Sequence, residues 1–140
     1  MTTIERRGRC LCGAVQFVAR GAPRWVAHCH CESCRRTTSA AFATYAGYDS
    51  AAVSWTGEPL GAYHSSPGVT RSFCRRCGSP MSFAGEKWPD EIHLFLPSFE
   101  NPSDIAPKLH VHAGEQLDWI HLADGLPRYA TTAGEGPALA

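Results

Sequence analysis

Apolar and polar side chains alternate along this chain in short runs rather than repeating with a helical period. In "AVQFVA" (Ala14 to Ala19), Val15, Phe17 and Ala19 fall on one side and Ala14, Gln16 and Val18 on the other, and "GAP" closes the run. A period of two with one better-buried face predicts a strand. Comparable runs predict further strands at "RWVAHC" (Arg24 to Cys29), "AFATYA" (Ala41 to Ala46), "GAYHS" (Gly61 to Ser65), "VTRSFC" (Val69 to Cys74), "PMSFA" (Pro80 to Ala84), "EIHLFL" (Glu91 to Leu96) and "KLHVH" (Lys108 to His112). With 13 glycines and 10 prolines punctuating these runs, the chain reads as mainly β and not as a helical bundle. Two short helices are expected, one starting near Glu32 and one over Asn101 to Ile105, where "NPSD" offers a cap followed by proline. The tail from Thr131 to Ala140 has no bulky apolar residue except Leu139 and is expected to be disordered, which leaves one domain over residues 1–130.

Composition narrows the partners. The chain has 140 residues, 44% of them hydrophobic, enough for one modest core, and its 13 basic and 13 acidic residues cancel without forming blocks. There is no basic stripe for nucleic acid and no charged face for a membrane, so the expected partners are small molecules. No apolar run reaches the roughly 18 residues of a spanning helix, and "MTTIERRGRC" carries no apolar signal-peptide core. The expected location is the cytoplasm, where thiols stay reduced.

In that setting the seven cysteines read as metal ligands, because an odd number cannot all pair and all seven fall in clusters. The clusters are C-x-C-G (Cys10, Cys12), C-x-C-x-x-C (Cys29, Cys31, Cys34) and C-x-x-C-G (Cys74, Cys77). Zinc takes four tetrahedral ligands, so Cys10 and Cys12 with Cys74 and Cys77 would complete one closed, structural site. Cys29, Cys31 and Cys34 then remain as three ligands around an open position, the arrangement of a catalytic zinc. Three thiolates on a divalent ion leave net negative charge, which disfavours water activation and favours a small thiol as fourth ligand. Alternation along an extended backbone turns His28 and His30 away from the sulfurs, although a histidine as fourth ligand stays open. His64, His93, His110, His112 and His121 read as strand residues with satisfied rings, with His110 and His112 forming H-x-H. A zinc-ribbon pairing of Cys31 and Cys34 with Cys74 and Cys77 is the competing arrangement, and it leaves three thiols over.

The order C-x-C-G, H-C-H-C-x-x-C-R-R, F-C-x-x-C-G-x-P resembles the family of glutathione-dependent formaldehyde-activating enzymes, to which centromere protein V is related. The likeness covers "GRCLCGAVQF" (Gly8 to Phe17), "HCHCESCRRTTSAAF" (His28 to Phe42), "RSFCRRCGSPMSF" (Arg71 to Phe83) and "PKLHVHAGEQLDWIHLADGLPRY" (Pro107 to Tyr129). The resemblance implies a β-tent fold of two antiparallel sheets built around a structural zinc. It implies that Cys10, Cys12, Cys74 and Cys77 hold that zinc, and that Cys29, Cys31 and Cys34 hold a second, labile zinc where the reaction occurs. The implied activity is that of a carbon–sulfur lyase acting on the adduct of glutathione and formaldehyde. Arg35, Arg36, Arg75 and Arg76 are candidate cations for the glutathione carboxylates by proximity. The other readings of the residues are a binding module with two structural zincs and a thiol-based zinc or redox sensor. The chain departs from the family at Thr38 and Ser39, where a T-G step is usual, and a serine there is expected not to take the backbone conformations of glycine.

Overall fold

The computed structural model describes residues 3–139. Its strands are β1 (Glu5–Arg9), β2 (Val15–Arg20), β3 (Trp25–Cys29), β4 (Ala43–Asp49), β5 (Val53–Gly57), β6 (Leu60–Ser66), β7 (Val69–Cys74), β8 (Pro80–Gly85), β9 (Glu91–Phe95) and β10 (Leu109–Val111), with one α-helix, α1 (Glu32–Thr38). The protein is mainly β, with two sheets in the strand orders β1-β2-β5 and β10-β3-β4-β9-β8-β7-β6. Among the described residues, no helix is long and apolar enough to cross a membrane.

Every strand read from alternation is present, within a few residues of its expected ends. β1 and β5 were not foreseen. β1 is "ERRGR", a run with no apolar face, held by antiparallel pairing with β2 in the register Glu5↔Arg20 to Arg9↔Gln16. The second expected helix is a single 3-10 turn at Pro102–Asp104, because Ile105 leaves it in an extended conformation. The pairing of β10 with β3 departs from the antiparallel expectation: the two run parallel, Leu109↔Ala27, His110↔His28 and Val111↔Cys29. Parallel neighbours need a long connection, and the chain between β3 and β10 supplies one.

Chain packing divides the molecule into two compact units, and the boundary falls within β3 and β4. The first runs as far as Trp25 and again over Ala46–Ile105. Its sheet β1-β2-β5 is antiparallel, and Val15, Phe17 and Ala19 of β2 are fully buried, as their alternation requires. Phe17 packs edge-on against Phe99, with ring centroids 5.1 Å apart. A buried carboxylate ties the other end of this unit together. Glu91 accepts hydrogen bonds from Trp25 Nε1 and from His93 Nε2 (3.0 Å), and its second oxygen faces Arg24 Nη1 at 3.2 Å. Arg24 in turn pairs with Asp49. The Trp25 indole lies against the bare backbone of Gly47, where an added Cβ would sit 2.3 Å from Cε2.

The second unit comprises Val26–Tyr45 and the chain from Ala106 onward. After β10 the chain folds back, with Tyr129 N–H donating to His110 O and His110 N–H to Pro127 O, each at 2.9 Å. In the tail, Thr131 Oγ1 donates to Glu135 at 3.2 Å, and Leu139 N–H donates to Arg128 O. Ala140, the last residue of the segment expected to be disordered, lies outside the described residues. Helix α1 starts at Cys31, whose sulfur accepts the Cys34 N–H, and ends at Ser39 with φ 52° and ψ 33°. Ser39 therefore does adopt the left-handed conformation that glycine takes freely, contrary to the expectation from its side chain, and it does so at a steric cost. Thr38 Oγ1, donating to Cys34 O at 2.8 Å, helps fix this helix end.

Two substitutions test these statements by urea denaturation. Gly47→Ala drives a methyl into the Trp25 ring and is expected to cost about 1–3 kcal/mol, with a shift in tryptophan fluorescence. Ser39→Gly relieves the left-handed strain and, after the entropic penalty of glycine, is expected to stabilise by about 0.5–1 kcal/mol; a loss of stability would show that the serine hydroxyl holds the turn.

Candidate metal centres

Four thiols meet in the first unit. Cys10 and Cys12 lie in the turn between β1 and β2, Cys74 ends β7, and Cys77 lies in the tight turn leading to β8, where Gly78 has φ +78°. Cys10 Sγ is 3.6 Å from Cys12 Sγ, Cys12 Sγ is 3.8 Å from Cys74 Sγ, and all four sulfurs lie within 4.8 Å of one another. These separations exceed a disulfide bond of about 2.05 Å. The 3.6 and 3.8 Å separations match the edge of a zinc–sulfur tetrahedron, about 3.8 Å for bonds of about 2.3 Å. The surroundings suit thiolates. Val15 N–H points at Cys10 Sγ (3.3 Å) and Arg76 N–H at Cys74 Sγ (3.4 Å). Ser79 Oγ accepts from Leu11 N–H at 3.0 Å, leaving its own hydrogen for Cys77 Sγ at 3.1 Å. That hydroxyl is the first of several hydrogen bonds that bring the Cys77 thiol down to about 5. The donor set and its spacing fit zinc.

The second unit gathers the other three. Cys29 ends β3, Cys31 caps α1, and Cys34 stands in its first turn, with the three sulfurs within 4.8 Å of one another. Cys29 and Cys34 are buried and Cys31 is partly exposed, so the group has one open side. The Cys34 sulfur is 3.2 Å from the hydroxyl of Tyr45, itself buried on β4. Without a cation the Cys29 thiol resists ionisation: Cys31 and then Cys34, as hydrogen-bonding neighbours, raise it, and burial adds to the rise. Three soft sulfurs this close fit a divalent ion such as zinc. Among the described residues, no histidine or carboxylate joins them. The sulfurs are thus grouped four and three, and the zinc-ribbon pairing is not the one the fold makes.

His28 and His30 turn away from the sulfurs, as alternation predicts. His28 Nδ1 lies 2.8 Å from Thr44 Oγ1, and its ring stacks on His110 with centroids 4.8 Å apart. His30 is fully buried, with Nε2 2.9 Å from His110 Nδ1. His110 Nε2 reaches Asp124 Oδ2 at 2.8 Å. Burial, with the neighbouring His110 second, lowers the His28 imidazole below its ordinary value, and the same two causes bring His30 down to about 4. The sequence reading missed Asp124, Tyr45 and the pairing of His110. The "DG" after Ala123 does signal a turn, and Leu126 N–H closes it on Asp124 Oδ1 at 3.0 Å. Nothing local signals that His110 will lie beside His28.

The candidate arginines are largely occupied. Arg35 donates to the carbonyls of His30 (3.1 Å) and Glu115 (3.3 Å), Arg36 pairs with Glu32 and Arg76 with Glu58. Arg75 is exposed.

Comparison with known proteins places this geometry. The family model described as glutathione-dependent formaldehyde-activating enzyme matches residues 5–115. A protein of Schizosaccharomyces pombe named an uncharacterized lyase is 36% identical over 80 residues, which is 57% of this chain and 58% of that protein. The chain thus spans little more than half the length of that relative. A crystal structure of a Rhodobacter sphaeroides protein superposes with a TM-score of 0.56 at 25% identity, covering 70% of this chain and 93% of that one. With most of its length matched, the chain belongs to the glutathione-dependent formaldehyde-activating enzyme family.

Proposed function

We propose that this protein is a zinc-dependent carbon–sulfur lyase that joins and separates a small thiol, such as glutathione, and an aldehyde, such as formaldehyde. Cys10, Cys12, Cys74 and Cys77 hold a structural zinc, and Cys29, Cys31 and Cys34 hold a labile one at the reaction site. The observation that carries this reading is the contrast between the two groups: four sulfurs within 4.8 Å of one another in one, and in the other three with no further ligand among the described residues. When bound by three thiolates, zinc supplies an open position at which a substrate thiol stays ionised near neutral pH.

The residues around that position divide the remaining work. Cys31 is the partly exposed member and sets the open side, while Cys29 and Cys34 form the buried floor. Tyr45, 3.2 Å from Cys34 Sγ, tempers the charge of that sulfur by hydrogen bonding. Arg35 anchors α1 through two carbonyls, so its role is to hold Cys31 and Cys34 in place, not to grip a substrate carboxylate. In the forward direction a carbon–sulfur bond forms as the carbonyl double bond opens, and the proton released by the thiol ends on the new hydroxyl oxygen. In reverse that hydroxyl proton returns to sulfur as the bond breaks. We read the whole as one β-tent domain over residues 1–130, with 131–140 as a tail, working in the cytoplasm, where its thiols and its substrate remain reduced.

Metal content and turnover test this together. The two thiol groups of the wild type are expected to hold one zinc ion each, the ion of Cys29, Cys31 and Cys34 being removed by a mild chelator and retained better with glutathione present. Cys31→Ala is expected to lose the labile ion and to slow adduct formation, followed by NMR of glutathione with formaldehyde, by about 100-fold or more. Full activity in Cys31→Ala would overturn the mechanism, and a single zinc indifferent to chelator and thiol would make the protein a binding module. Cys74→Ala is expected to abolish cooperative unfolding, since structural zinc contributes on the order of 10 kcal/mol in small domains.

A further inference from the structure

We propose that His28, His110 and Asp124 form a third metal site, separate from both thiol groups and suited to a divalent transition ion of intermediate softness, zinc above all. The three ligand atoms lie within 4.8 Å of one another. His28 and His110 are register partners on the parallel strands β3 and β10, which sets their rings side by side on one face. Cys29 points to the other face of β3, so this site and the labile thiol site share a strand without sharing a ligand.

The second nitrogen of each ring is already committed, the arrangement that orients ligating histidines. His28 Nδ1 is held by Thr44 Oγ1 at 2.8 Å, which leaves Nε2 as the lone pair. His110 Nδ1 is held by His30 Nε2 at 2.9 Å, which directs its Nε2 to Asp124 Oδ2, 2.8 Å away. Asp124 is itself fixed through Oδ1 by the Leu126 N–H, so Oδ2 alone faces the histidines. His110 is fully buried, His28 half-buried, and the Asp124 side chain 35% exposed, so the floor is rigid and an ion enters from the Asp124 side. Two imidazoles and one carboxylate select zinc, iron, nickel or copper over magnesium and calcium, which prefer all-oxygen shells.

Loading the site reverses a hydrogen-bond chain. Without an ion, the Asp124 carboxylate accepts from His110 Nε2–H, so His110 Nδ1 accepts from His30 Nε2–H. With an ion on His110 Nε2, the ring must carry its hydrogen on Nδ1 and donate it to His30 Nε2. Both rings therefore change tautomer on binding, a signature that owes nothing to the proposed reaction.

The experiment is nitrogen-15 NMR of the imidazole rings of the full chain, with zinc analysis after dialysis into a free-zinc buffer. Added zinc is expected to move the His110 ring proton from Nε2 to Nδ1. Asp124→Ala is expected to weaken one zinc equivalent per chain by about 10-fold or more. After cobalt substitution, the thiolate-to-cobalt absorption of Asp124→Ala should match that of the wild type, showing both thiol groups intact. Retention of His110 Nε2–H at excess zinc, or equal zinc content in wild type and Asp124→Ala, overturns the site. Should Asp124→Ala fail to fold, the ring spectrum of the wild type decides alone.

Discussion

Neighbouring side chains of an extended backbone cannot share a face, and the chemistry of the second unit rests on that constraint. Between His28 and Cys31 it separates thiols from imidazoles at single-residue resolution. The sulfurs of Cys29 and Cys31 turn toward Cys34, and the rings of His28 and His30 turn toward His110. A helical backbone would mix the two sets around its circumference. The parallel placement of β10 completes the division, because it brings His110 level with His28 instead of leaving the imidazoles to water.

The first unit meets a different demand with similar economy. Its short strands enclose a modest core around Phe17, Tyr48, Met81 and Leu94. Two tight turns distant in sequence add four sulfurs at a spacing that a tetrahedral ion bridges. Backbone N–H groups and the Ser79 hydroxyl are in place around those sulfurs, so part of the cost of gathering negative charge is met by the fold.

Alternation and punctuation are enough to read most of the strands, and cysteine spacing marks the three clusters, because both signals are local; which clusters meet, Cys12 with Cys74 above all, is decided by the fold. What escaped has no local signal. β1 is polar along its whole length and is a strand because β2 lies beside it. The direction of β10 depends on the route of a long connection, and the proximity of Tyr45 to Cys34 and of Asp124 to His110 depends on how separate elements stack. Ser39 is the instructive error. Its side chain argued against a glycine-like conformation, yet the need of α1 to end there prevails over the preference of one residue.

Cys31 has two duties. Its sulfur caps the first turn of α1 by accepting the Cys34 N–H, and the same sulfur belongs to the one partly exposed member of the three-thiol group. Oxidation or alkylation of that one atom would therefore alter the three-thiol group and uncap the helix together. Since α1 carries Cys34 and the Arg35 anchor, a chemical change at that one sulfur would loosen the first turn of the helix and the grouping of the thiols together.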